Sequence, residues 1–478
     1  MSYLDFDDHE DEWLESGGGG VPEFADRDIS ELTHEAREGN ISTENIDEIA
    51  AWHLERSNFA EALKLYELLT ELVPYSAEAW ERMGMALNNL GHYGKALAAF
   101  DKAETLNPGD IELMMNKGIT LDNLGDTAGA LDCFNYVLSL EPQHDDALFS
   151  KGLTLEHSGD YTAAIELFTE LTARDPESKD AWYELGFCHD FEDHLTEALY
   201  CYDRALDLHP YNQNAWYNRG IVLNRMGAFR KAIESYDFAI AIQDDFGSAW
   251  YNKGNSCANL GSFDEAITCF RKTVELEPTD PHAWHNLGNA CEEAGRNLDA
   301  IQAYSRAIAL APDNADSFFG RGSVHEATGD LQAALNDFTR ATKLTPDNLD
   351  AWYAKADIEY ECGNFDDALH SFGVILGLES TDAAIWVDYA ELCLTSDNPH
   401  KAVVACKTAI GLGDRLPEAY YFLVQAYTRI ERYQEALGAF RTFRNICTDG
   451  RDSEGNPLPD PPVFALLQRM LDNGDAER

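Results

Sequence analysis

The chain has 478 residues, of which 86 are acidic and 35 basic, giving a formal net charge of −51. That balance argues against nucleic acid as a partner, because a phosphate backbone is held by Lys and Arg that displace its counterions. It allows neutral to basic proteins or peptides, and equally a solvated acidic surface serving solubility or life at high salt.

Residues 1–22 mix acidic side chains with Tyr3, Leu4, Phe6, Trp13 and Leu14, then run through Gly17, Gly18, Gly19 and Gly20 to Pro22. This composition predicts a disordered acidic tail on a glycine tether. The stretch has no basic n-region and no apolar h-region, and no later run is long enough to span a membrane, so a cytoplasmic chain with no membrane partner is expected. Residues 23–42 form a helical lead-in, with Phe24, Ile29, Leu32 and Ala36 at helical spacing.

From Thr43 the chain repeats every 34 residues, with starts at Ala77, Ile111, Asp145, Lys179, Gln213, Gly247, Pro281, Ala315, Leu349, Ala383 and Pro417. Position four is mostly Trp (Trp80, Trp182, Trp216, Trp250, Trp284, Trp352, Trp386), and position eight is mostly Gly, from Gly84 to Gly322. Position twenty is always Ala, and position twenty-four is often aromatic, as in Phe100, Phe134, Tyr202, Tyr236, Phe270 and Phe338. Two antiparallel helices approach closely only where a side chain is absent or is one methyl. Gly and Ala permit that approach, and the aromatics fill the space beside it. Glycines at position fifteen, such as Gly91 and Gly261, end the first helix, and prolines at position thirty-two separate the repeats.

Residues 451–462 are a proline-rich link. In residues 463–478, Val463, Phe464, Leu466, Leu467, Met470 and Leu471 predict an amphipathic helix that caps the last repeat. The ten cysteines contain no C-x-x-C pair. They read as core residues in a reducing compartment rather than as redox pairs between Cys188 and Cys201 or Cys257 and Cys269. No phosphate loop, nucleophile elbow or zinc-protease helix is present. His325-Glu326 lacks the second histidine such a helix needs, and no enzyme, metal or cofactor is expected.

The pattern exemplified by Trp284, Leu287, Gly288, Ala300, Tyr304, Ala307 and Pro312 resembles the tetratricopeptide repeat family, over twelve repeats spanning residues 43–450. The resemblance implies an all-α fold, a right-handed superhelical solenoid whose first helices line a concave groove for extended peptides or partner helices. Positions five, six and nine of that wall carry Asn116, Phe149, Tyr183, Tyr217, Asn218, Tyr251, Asn252, Asn255, Asn286, Asn289, Phe319 and Tyr353. This array is similar to the asparagine ladder in the repeat arm of the O-linked N-acetylglucosamine transferase. Amides can meet a peptide backbone without reading its sequence, and rings offer apolar contact at small entropic cost. Acidic residues at positions two and twelve make the wall negative, with Arg82, Arg225 and Arg429 as exceptions. The Lys, Asn and Arg clamp with which family members hold acidic chaperone tails is missing. The expected role is a non-catalytic scaffold or adaptor for a neutral to basic, partly apolar segment. The alternative is a regulatory or substrate-presenting subunit of a separate enzyme or secretion complex. Oligomeric state is not legible in the sequence.

Overall fold

A computed structural model describes residues 22, 27–413, 416–447, 458 and 462–475. The expected acidic tail, apart from Pro22, and most of the proline-rich link lie outside the described residues. The chain divides into two compact units, Met1–Ala228 and Phe229–Arg478.

In the first unit, α1 (Ile29–Arg37) precedes α2 (Thr43–Glu55), α3 (Phe59–Leu72), α4 (Ala77–Asn89), α5 (Tyr93–Leu106), α6 (Ile111–Leu124) and α7 (Thr127–Leu140). Then come α8 (Asp145–His157), α9 (Tyr161–Arg174), α10 (Lys179–Phe191), α11 (Leu195–Leu208) and α12 (Gln213–Arg225). The second unit holds α13 (Phe229–Ile242), α14 (Gly247–Asn259), α15 (Phe263–Leu276), α16 (Pro281–Glu293), α17 (Asn297–Leu310), α18 (Ala315–Ala327) and α19 (Leu331–Leu344). It continues with α20 (Leu349–Glu361), α21 (Phe365–Leu378), α22 (Ala383–Thr395), α23 (Pro399–Leu412), α24 (Pro417–Arg429), α25 (Tyr433–Ile446) and α26 (Pro462–Asp475). Each unit is a stack of antiparallel helical hairpins, so α2 through α25 start and stop in step with the 34-residue period.

The first helices begin where a capping side chain stands just before the repeat. Ser42, Ser76, Ser178, Asn212, Asn314 and Asn348 each accept a hydrogen bond from the backbone N–H three residues on. Such caps satisfy donors that the helix cannot use internally. The first helix then ends at position fifteen, which is left-handed in every repeat. Glycine fills it eight times, with φ between 70° and 85°. Ser57, Asp193, Asp397 and Glu431 adopt the same conformation at 56–62°, which costs an L-residue about 1–2 kcal/mol.

Between the two helices of a repeat, the ring at position twenty-four lies on the glycine at position eight. A Cβ added to Gly84, Gly152, Gly254 or Gly322 would stand 2.5–2.7 Å from a ring carbon of Phe100, Phe168, Phe270 or Phe338. All four rings are at most 1% exposed. The alternation of large and small residues read from the sequence is therefore an interlocking contact.

Both ends of the array are covered. The lead-in helix α1 starts at Ile29, where the Asp28 carboxylate caps it by accepting from the Ser30 N–H. Its Leu32 and Ala36 bury against the cluster containing Leu65 and Leu69 of α3. At the other end, Phe464 of α26 sits 4.8 Å from Phe440 and 5.4 Å from Phe443, centroid to centroid, with Leu467 fully buried. All ten cysteines are free thiols and all but Cys362 are buried. Burial pushes the Cys133 thiol up to about 11 and that of Cys201 to about 12, which makes them poor nucleophiles.

Candidate protein-binding face

The first helices present positions two, five, six, nine, twelve and thirteen on one face within each unit. The candidate rings at position five are half-buried, and five of them back onto the position-twenty-four ring of their own repeat. Phe149 meets Phe168 at 5.6 Å, Tyr183 meets Tyr202 at 5.8 Å, and Tyr251 meets Phe270 at 5.9 Å. Phe319 lies 5.6 Å from Phe338 and Tyr353 5.9 Å from Phe372. Each of these five rings is thus pinned from behind, with part of its surface left open.

The asparagines are placed differently from a free peptide-reading ladder. Asn218 Nδ2 donates to the Tyr183 hydroxyl at 3.0 Å, and Asn286 Nδ2 donates to the Tyr251 hydroxyl at 2.9 Å and to Asn255 Oδ1 at 3.1 Å. Asn116 Nδ2 donates to Glu81 at 3.1 Å. The bonds to Tyr183, Tyr251 and Glu81 join position six of one repeat to position five of the repeat before it, and the bond to Asn255 joins position six to position nine. Asn289 accepts from the Tyr304 hydroxyl at 2.6 Å and lies 3.2 Å from His285 Nε2. Tyr217 and Asn252 occupy the same two positions and are half-buried, as are all the candidate residues except exposed Asn289. The structure brings together Tyr183 with Asn218, and Tyr251 with Asn255 and Asn286.

A second row of braces runs parallel to the first, from position thirteen to position twelve of the preceding repeat. His157 Nδ1 lies 2.9 Å from Asp122 Oδ2, and Asn123 donates to Asn88 at 3.3 Å. Arg225 pairs with both Asp190 and Asp193, and Arg429 donates to the Leu394 carbonyl. The remaining basic exception, Arg82, pairs with Asp47 at 3.3 Å and Glu78 at 2.5 Å. All three arginines are thus spent within the array.

Burial pushes up the carboxyls of Asp47, Glu81, Asp190, Glu292, Glu326, Asp357 and Glu391, because desolvation disfavours their charged form, so the exposed carboxylates carry most of the negative charge of the face. The indoles of position four do more than fill space. Trp80, Trp182, Trp216, Trp284 and Trp352 each donate Nε1–H to the carbonyl of the proline six residues earlier, at 2.8–3.1 Å. Sequence reading missed both the indole bond and the braces, although their signals, a fixed spacing of six and of 35, stand in the sequence.

A tetratricopeptide repeat model matches residues 53–111, 115–178, 225–281, 251–315 and 319–373, together more than half of the chain. The chain belongs to the tetratricopeptide repeat family. Two further models of the same repeat match residues 155–210 and 201–234. No curated protein sequence matches significantly. Among solved structures, the chain is similar to the MamA protein at 30% identity, covering 35% of this chain and 92% of that one with a TM-score of 0.34. It is also similar to YrrB, described as a tetratricopeptide protein with an unusual peptide-binding site, at 23% identity over 39% of this chain and 97% of that one, TM-score 0.37. Yeast Tom70 matches at 16% identity over 85% and 97%, TM-score 0.33. A tetratricopeptide array is a protein-interaction scaffold, and no helix among the described residues is long and apolar enough to cross a membrane.

Proposed function

We propose that this tetratricopeptide chain is a non-catalytic adaptor that holds extended or helical segments of a neutral to basic protein against its first-helix face. One observation carries the reading. Position five offers a run of half-buried rings, five of them fixed by the ring behind, and acidic side chains flank them at positions two and twelve. Rings already immobilised lose little entropy on binding. The carboxylates favour a cationic partner and raise its rate of encounter.

The test is site-specific photocrosslinking in the intact chain, with a benzophenone amino acid at Tyr353 or Phe149 on the first helices and at Tyr200 or Phe238 on the second. Tyr200 and Phe238 are exposed, so crosslinking there reports the opposite helical layer. A partner crosslinked from Tyr353 or Phe149, with a yield that falls as salt rises, supports the reading. A partner crosslinked only from Tyr200 or Phe238 overturns it. If the partner is an enzyme held in fixed stoichiometry, the adaptor is a regulatory or substrate-presenting subunit.

A further inference from the structure

Between the Asp122–His157 and Asp190–Arg225 rungs of the second row lies one that has no cation. Asp122 is met by His157 and Asp190 by Arg225, but the residue that stands where a cation would meet Glu156 is Phe191. Glu156 is only 9% exposed, and among the described residues it makes no ion pair. Its carboxylate faces the Cys188 thiol at 3.7 Å and hydrogen-bonds the Glu184 carboxyl. Beside it Phe191 is 57% exposed, stacked on Tyr161 at 4.8 Å with 21° between the ring planes and 4.7 Å from Phe187. A buried carboxylate without a cation thus adjoins an uncovered aromatic shelf.

We propose that this gap takes an arginine side chain from a bound protein segment, its guanidinium lying on the Phe191–Tyr161 shelf and its N–H groups donating to Glu156. The inference rests on the reading of the first-helix face as the binding surface. Arginine fits better than lysine because its plane stacks on a ring while its fork of donors meets a carboxylate. The chain's own solution one repeat further on is the same chemistry, with Arg225 spanning two carboxylates.

The groups facing this pair are His157, engaged by Asp122, together with Tyr161, Asp180, Cys188 and Tyr202. None supplies a second cation. Burial pushes Glu156 up to about 7 and Glu184 well above the carboxylate range. The empty site therefore holds protons at neutral pH, and an incoming guanidinium displaces at least part of them. Affinity rises as pH rises through 7.

The experiment uses the intact chain and an end-blocked octapeptide carrying one arginine among leucine, alanine and serine, compared with the same peptide carrying citrulline or lysine. The arginine form is expected to bind about tenfold or more tighter than the citrulline form, as stacking plus a charge-assisted hydrogen bond would give. Lysine should fall between them. Phe191→Ala and Glu156→Gln should erase the difference, whereas Phe238→Ala on the second-helix layer should leave it intact. Phe191 is exposed enough for its variant to fold, which circular dichroism checks. Equal binding of arginine and citrulline peptides, or an unchanged preference in Phe191→Ala, overturns the proposal. A protein partner that crosslinks from Tyr353 or Phe149 yet ignores Phe191→Ala also overturns it while leaving the binding face standing.

Discussion

The contact between Gly322 and Phe338 makes a sharp prediction, because two effects of one added methyl oppose each other. Gly322 lies inside α18, where Ala is intrinsically better than Gly by about 1 kcal/mol. Yet its new Cβ would stand 2.7 Å from Phe338 Cε1, against about 3.4 Å for an ordinary contact, so the ring must retreat by about 0.7 Å. Phe338 is fully buried, and overpacking of this kind costs about 1–3 kcal/mol. Gly373 in α21 of the same unit is the control, since its Cβ would meet nothing within 4 Å. Urea unfolding followed by far-ultraviolet circular dichroism should place Gly322→Ala about 1–3 kcal/mol below Gly373→Ala. Adding Phe338→Leu should cost less in Gly322→Ala than in the parent, because the smaller side chain clears the methyl. Equal gains from both glycine substitutions would refute the interlock as the reason for glycine at position eight.

Glu431 holds the left-handed corner that glycine takes elsewhere, so Glu431→Gly should raise the thermal midpoint by the equivalent of about 1 kcal/mol. Trp352→Phe keeps most of the apolar area but removes the 2.9 Å bond to the Pro346 carbonyl, and a loss of about 1 kcal/mol in urea unfolding is expected. Arg321 binds Asp337 through two bonds of 2.8 and 2.7 Å, and the Asp337 side chain is 8% exposed. Arg321→Ala should therefore cost about 3–5 kcal/mol by stranding a buried carboxylate, whereas exposed Asp299→Ala beside Arg271 should cost under about 1 kcal/mol. Glu156 binds its proton more tightly folded than unfolded, so its contribution is full below the ordinary carboxylate range and is lost as pH rises through about 7. The urea midpoint should fall between pH 5.5 and 8.5 more in the parent than in Glu156→Gln, and parallel curves would contradict that burial.

The period of 34, the Gly and Ala positions and the closing proline placed the helical hairpins, because each of those residues answers a local demand for a tight approach, a left-handed corner or a helix stop. The face was legible only as positions. Asn218 and Asn286 were readable as amides on the first helices, but a pattern within one repeat does not say which neighbour a side chain meets. That partner is the tyrosine 35 residues earlier, and the separation becomes visible only when rows from consecutive repeats are laid side by side.

The braces change what the face can read. An amide already donating to a tyrosine hydroxyl has fewer donors left for a peptide backbone, so Asn218 and Asn286 act first on the spacing of adjacent first helices. On the proposed reading, recognition falls to groups the array leaves over. Outward faces of Phe149, Phe319 and Tyr353 are left over, as are the exposed carboxylates at position two, such as Asp316 and Asp350. So is any rung where the brace is missing. In a chain carrying −51 charges nearly every arginine near the first-helix face is consumed internally, by Asp47 and Glu78, by Asp190 and Asp193, or by the Leu394 carbonyl. A position where Phe191 replaces the cation is therefore more selective than the general acidity around it. Long-range charge draws any basic segment, but only a planar cation can complete that rung.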